Sequence, residues 1–182
     1  MDKIFDSDSH FFYIINIIFI ASPFSGAIPT HTVEEAEAEE GPFPVDLKST
    51  LIAEFFGTCT LVQLGCAANC ISLYGGGLQG SVQTGLAWGL SLTIAIYLSA
   101  ALSGGHLNPA VSFSFALVRP ADFRFRRLIP YWTAQFLGAI VAGCINLFLF
   151  HTAIDHYESK NKIVRGSQDS IQSAAAFGDY WR

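Results

Sequence analysis

The run SGGHLNPAVSFSFAL, Ser103 to Leu117, sets three kinds of polar chemistry side by side in an otherwise apolar neighbourhood. Gly104 and Gly105 permit backbone angles that other residues avoid, so the carbonyl oxygens from Gly104 through His106 to Leu107 can be turned toward a passing molecule as acceptors. Asn108 supplies the complement, a carboxamide whose NH2 can donate to a hydroxyl or a water oxygen. Asn is also a favoured N-cap, and Pro109 at the first helical position gives up only a donor that would be orphaned anyway. Residues 108–118 therefore read as a short helix with Asn108 at its positive end. Neutral acceptors, one strong donor and a positive field would pass water or polyols and repel cations. An isolated Asn-Pro-Ala usually marks only a helix start, so the weight of this one comes from the elements around it.

Those elements are apolar and almost free of charge. The chain of 182 residues is 51% hydrophobic and 14% charged, outside the usual range of a soluble domain. After Lys48 the only charged side chain as far as Val118 is Glu54, and Leu128 to Phe150 contains none. Uncharged apolar runs of about 18 or more residues read as membrane spans. Three are expected, at about 51–73, 82–102 and 128–150, the first two stopped by Gly75-Gly76-Gly77 and Ser103-Gly104-Gly105. The 108–118 helix, roughly 16 Å long at ~1.5 Å per residue, reaches only about half-way through a ~30 Å hydrocarbon core. It enters the membrane without crossing. Irregular backbone at that depth, here Ser103 to Leu107, is tolerated only where protein buries it or a watery cavity meets it. The expected fold is an all-α membrane protein with three spans and a re-entrant half-helix.

Arg119, Arg124, Arg126 and Arg127, opposed only by Asp122, mark residues 119–127 as cytoplasmic. Two crossings earlier, residues 28–48 fall on the same side. That segment carries six acids against one Lys, with Pro29, Pro42 and Pro44, and reads as a solvated, disordered lead-in. It holds most of the net charge of −5, which therefore says little about partners. The apolar run 11–21 reads in three ways: as the core of a cleaved signal, as an interfacial or additional membrane segment, or as a disordered or spurious extension. Asp2, Asp6 and Asp8 against Lys3 count against a signal peptide, as does the cytoplasmic placing of 28–48. Cys59, Cys66 and Cys70 share a helix face, which suits packing between helices or a soft metal; packing is the reading preferred. No basic patch suggests nucleic acid, and no metal or cofactor is expected. Nor is an enzyme, since Ser103 and His106 lack a third group to orient them and His106 lacks a second metal ligand.

SGGHLNPAVSFSFAL resembles the first Asn-Pro-Ala box of the major intrinsic protein family, the aquaporins and aquaglyceroporins. AEFFGT, Ala53 to Thr58, is similar to the family's first-helix signature, and TAQFLGA, Thr133 to Ala139, to its third-helix pattern. The resemblance covers Leu47 to Arg182. It implies that Asn108, Pro109 and Ala110 form a pore motif and that the carbonyls of Gly104, Gly105, His106 and Leu107 form an acceptor ladder. It further implies that Glu54 and Gln135 brace the re-entrant loop, that His106 packs, and that Trp88 stands at the selectivity constriction as in the polyol-conducting branch. Glycerol, other small neutral solutes and water are the implied permeants, and a homotetramer in the lipid bilayer the implied assembly. Family members comprise two inverted repeats. This sequence carries one, with residues 1–46 as an extension, 47–182 as the first half of the channel domain and 151–182 as an external tail ending in a stretch similar to the loop before a fourth span. A first half truncated before the second repeat, a fragment of a six-span channel that does not conduct alone, is thus expected. The alternative is a non-conducting subunit that joins full-length channels through the small-residue pairs Gly138/Ala142 and Ala139/Gly143.

Overall fold

The computed structural model describes residues 46–75 and 81–178. The apolar run 11–21 and the acidic lead-in up to residue 45 lie outside the described residues. Among the described residues five α-helices follow in order: α1 (Leu47–Tyr74), α2 (Ser81–Ser103), α3 (Pro109–Val118), α4 (Leu128–Asn161) and α5 (Ile171–Ala174). Short 3-10 turns at Phe125–Arg127 and Gln168–Ser170 lead into α4 and α5. Three of these helices are long and apolar enough to cross a membrane, while α3, with 10 residues, is not.

α1 is the central element, packed on one side by α2 and on the other by α4, with α3 against α4. Its buried face is a stripe of small and polar residues that recurs every three or four positions, including Ala53, Glu54, Gly57, Thr58, Gly65, Cys66 and Cys70. Large apolar residues of the same helix, such as Ile52, Phe56 and Ile71, point outward. This is the arrangement of a membrane bundle, where lipid is as apolar as Leu and close approach of backbones drives association. Cys66 and Cys70 belong to that packed stripe. Glycines set the approach: a Cβ on Gly138 of α4 would meet the Phe55 carbonyl oxygen of α1 at 2.4 Å, and one on Gly57 would meet the Ser99 Cβ of α2 at 2.9 Å.

Gly138 and Ala142 are therefore occupied within the chain, which removes that pair as a face for joining other channels. Gly143 has open space where a Cβ would stand. α4 also runs well past the expected end of its span at Phe150, on to Asn161, where Lys162 closes it in the left-handed conformation. Asp155 and Glu158 in this extension pair with Arg165, and Lys160 is exposed. Beyond the helix the chain folds back. Arg165 Nε donates to Glu158 Oε2 at 2.7 Å and its NH2 pairs with Asp155, while Ser173 Oγ donates to Glu158 Oε1 at 2.8 Å. The Glu158 hydrogen bond, and then its charge, hold the Arg165 guanidinium above its ordinary pKa. Tyr74 OH donates to the Ser173 carbonyl, and its ring meets Tyr157 edge-on, so the segment through α5 is fastened over the ends of α1 and α4.

Candidate functional site

α2 ends as Gly104 N–H donates to the Ala100 carbonyl at 2.9 Å, and the chain then turns through three positive φ angles, Gly104 (84°), Gly105 (65°) and Leu107 (52°). Glycine adopts such angles freely, but for Leu107 they cost about 1–2 kcal/mol. A branched side chain persists there because both its ends are held: Leu107 N–H donates to Glu54 Oε2 at 2.7 Å, and Leu107 Cδ2 fills the space over Gly57. His106 N–H donates to Glu54 Oε1 at 2.9 Å.

Glu54 is 0% exposed and accepts two more hydrogen bonds, from Ser103 Oγ at 2.6 Å and Gln135 Nε2 at 2.8 Å. Its two oxygens thus meet two backbone donors of the irregular loop, one hydroxyl from the end of α2 and one amide from α4. A carboxylate is an acceptor only, and every partner here is a donor. The loop's own amides would otherwise be orphans at membrane depth, where water cannot replace the missing bond. Gln135 Nε2 also donates to Ser112 Oγ at 2.9 Å on the half-helix, so the same amide ties α4 to α1 and α3.

Asn108 caps α3 with extended angles, φ −151° and ψ 130°, and its Oδ1 accepts from Ala110 N–H at 2.8 Å. Its acceptor being engaged locally, the Nδ2 is the atom left to donate outward. Trp132 Nε1 donates to the Pro109 carbonyl at 3.0 Å and fixes the start of the half-helix from α4. Gly104 and Ala110 are exposed, Asn108 and Pro109 half-exposed, and Gly105 buried. His106 and Leu107 are also buried. His106 stacks on Phe115 with centroids 4.6 Å apart, lies beside Phe123 and Tyr131, and hydrogen-bonds Ser112 Oγ through Nδ1 at 3.2 Å. Ser103 and His106 both turn to Glu54 and its neighbours rather than to each other.

Trp88 of α2 lies flat on α1. A Cβ on Gly65 would come within 2.3 Å of the indole ring, and Trp88 Nε1 donates to Asn69 Oδ1 at 3.0 Å. It stands beside the cluster of Leu61, Ala95 and Leu107, whose last member belongs to the re-entrant loop. Sequence reasoning missed Asn69, Ser112, Tyr131 and Trp132 as members of this network. Tyr131 OH donates to the Ser103 carbonyl at 2.8 Å. One signal was available for Asn69 and Ser112, namely a polar side chain within a charge-free apolar run.

A family model described as major intrinsic protein matches residues 44–178. The chain belongs to the major intrinsic protein family. It is an integral membrane protein with the fold of one aquaporin-type repeat, three membrane-length helices and a half-helix. The glycerol uptake facilitator protein of Haemophilus influenzae is 37% identical over 134 residues, covering 74% of this chain and 50% of the relative. That of Pseudomonas aeruginosa is 40% identical over 129 residues, 71% of this chain and 46% of the relative. The propanediol uptake facilitator PduF of Citrobacter freundii is 35% identical over 134 residues, 74% of this chain and 49% of the relative. Among solved structures, the aquaglyceroporin from Plasmodium falciparum superposes with a TM-score of 0.57 at 34% identity, over 66% of this chain and 48% of that one. This major intrinsic protein chain spans about half the length of the curated relatives it matches.

Proposed function

We propose that this chain forms half of a passive conduit for glycerol, other small neutral solutes and water. The observation that carries the reading is the irregular stretch Gly104–Leu107, held by Glu54 and ending at Asn108 with its Nδ2 left to donate. A polyol needs both acceptors and a donor along its path, and the carbonyls and this amide supply them without a formal charge. The positive end of α3 disfavours cations at the same point. Relatives named for glycerol and propanediol uptake support a small polyol as the permeant. Trp88 fits a constriction wall, where a flat apolar indole packs on a carbon chain while other groups bond the hydroxyls. The exposed Arg119, Arg124, Arg126 and Arg127 support the cytoplasmic side for 119–127.

Passage in this reading is completed by a second three-span unit, and the assembled channels form a homotetramer. Apolar residues along α2, including Val82, Leu86, Leu90 and the 86%-exposed Tyr97, offer surface for such a unit. The same surface supports the second reading, a non-conducting subunit that associates with full-length channels.

Osmotic assays on liposomes that hold this chain together with a second three-span unit supplied from a full-length relative, with shrinkage in sucrose and re-swelling in glycerol, test the conduit. Asn108→Asp keeps the oxygen that caps Ala110 N–H but loses the donor. It is expected to lower glycerol re-swelling about tenfold, the worth of one hydrogen bond of roughly 1.4 kcal/mol, with the fold intact. Flux through the completed assembly that is indifferent to this exchange would refute the conduit as drawn and favour the subunit.

A further inference from the structure

We propose that Asn69 is a positioning residue for Trp88, and that it makes the folded-back segment around Ala176 part of the device that sets solute size. This deepens the reading of Trp88 as a constriction wall and rests on it.

Asn69 lies one helical turn beyond Gly65 on α1, so the two present to α2 a bare backbone patch and then an amide. The six-membered ring of Trp88 occupies the patch: its Cε3 and Cζ3 are both 2.3 Å from where a Gly65 Cβ would stand. Its pyrrole N–H meets Asn69 Oδ1 at 3.0 Å. One contact sets the plane of the indole and the other its rotation within that plane. Indole is a donor only, so Asn69 must turn its oxygen toward Trp88 and its NH2 the other way. There it donates to the Ala176 carbonyl at 3.2 Å. Ala176 is 2% exposed, and its segment is anchored separately through Ser173, Glu158 and Tyr74. A shift of that segment therefore reaches the indole through a single side chain. Aspartate would keep the bond to Trp88 and lose the one to Ala176; leucine would lose both.

The test pairs a readout of the indole with a readout of selection, in the chain reconstituted in lipid together with the second three-span unit that completes the conduit. With 15N-labelled tryptophan, Asn69→Leu is expected to move the Trp88 indole N–H resonance, assigned by Trp88→Phe, and to speed its hydrogen exchange. The Trp132 resonance, whose partner is Pro109, should stay in place. In swelling assays the same variant is expected to raise the ribitol-to-glycerol permeability ratio about fivefold, the equivalent of one hydrogen bond, toward the ratio of Trp88→Ala. Asn69→Asp should leave the indole bonded and give an intermediate ratio. An unmoved Trp88 resonance in Asn69→Leu, or an unchanged ratio while Trp88→Ala alters it, overturns the role of Asn69 and leaves the constriction standing. A ratio that Trp88→Ala itself does not alter overturns the constriction, and this inference with it.

Discussion

Glu54→Ala is expected to collapse the re-entrant loop and lower the stability of the chain by about 3–5 kcal/mol, read as a lost or strongly lowered thermal transition in detergent. Four donors converge on this side chain, and removing it orphans the amides of His106 and Leu107, while Ser103 Oγ keeps the Ser99 carbonyl and Gln135 Nε2 keeps Ser112 Oγ. Each orphan costs about 1–3 kcal/mol when buried, less than additively because the loop relaxes as a unit. The strained angle at Leu107 loses its restraint in the same step. Glu54→Gln should fall between, since one oxygen still accepts while its NH2 is forced against donors. Equal unfolding temperatures for the unsubstituted chain and Glu54→Ala would show that the loop is held by something other than this carboxylate.

Gly138→Ala is expected to destabilise the bundle by about 1–3 kcal/mol even though Ala is the better helix former by roughly 1 kcal/mol. The new methyl carbon would stand 2.4 Å from the Phe55 carbonyl oxygen and 3.1 Å from the Cys59 nitrogen, both backbone atoms of α1 that no rotamer change can move. α1 and α4 would have to separate, and the Gln135–Glu54 bond between them would stretch with the crossing. Gly143 lies on the same helix with nothing within 4 Å of its would-be Cβ, so Gly143→Ala should be neutral or slightly stabilising. The two variants share chemistry and helix, and differ only in what the methyl meets. Matching stabilities for the pair in detergent unfolding would argue against a close backbone crossing at Gly138.

Much of the architecture was legible because its causes are local. Absence of charge over a span-length run is a property of consecutive residues, and so is the signal of Asn108 and Pro109 that starts α3. The length of α4 beyond its apolar run was not legible for a related reason: hydropathy falls at His151, but a helix keeps its hydrogen bonds past that point and continues to Asn161. Resemblance marked Glu54 and Gln135, yet nothing in the sequence named Ser112, Tyr131 or Trp132 as their company. Asn69 could have been flagged as a polar residue in an apolar run, but not matched to its partners.

The sequence by itself determined the solvent, the membrane-length helices and the half-helix, since burial in lipid and helix capping depend on residues within a turn or a span of one another. Tertiary structure alone decided which polar groups meet. Ser103 reaches Glu54 across 49 positions, Gln135 reaches it across 81, and Asn69 finds Ala176 across 107. At such separations no periodicity connects the partners. They are brought together only by the glycine-lined approach of α1 to α2 and α4, and each bond then persists because an unpaired polar group there has no water to turn to.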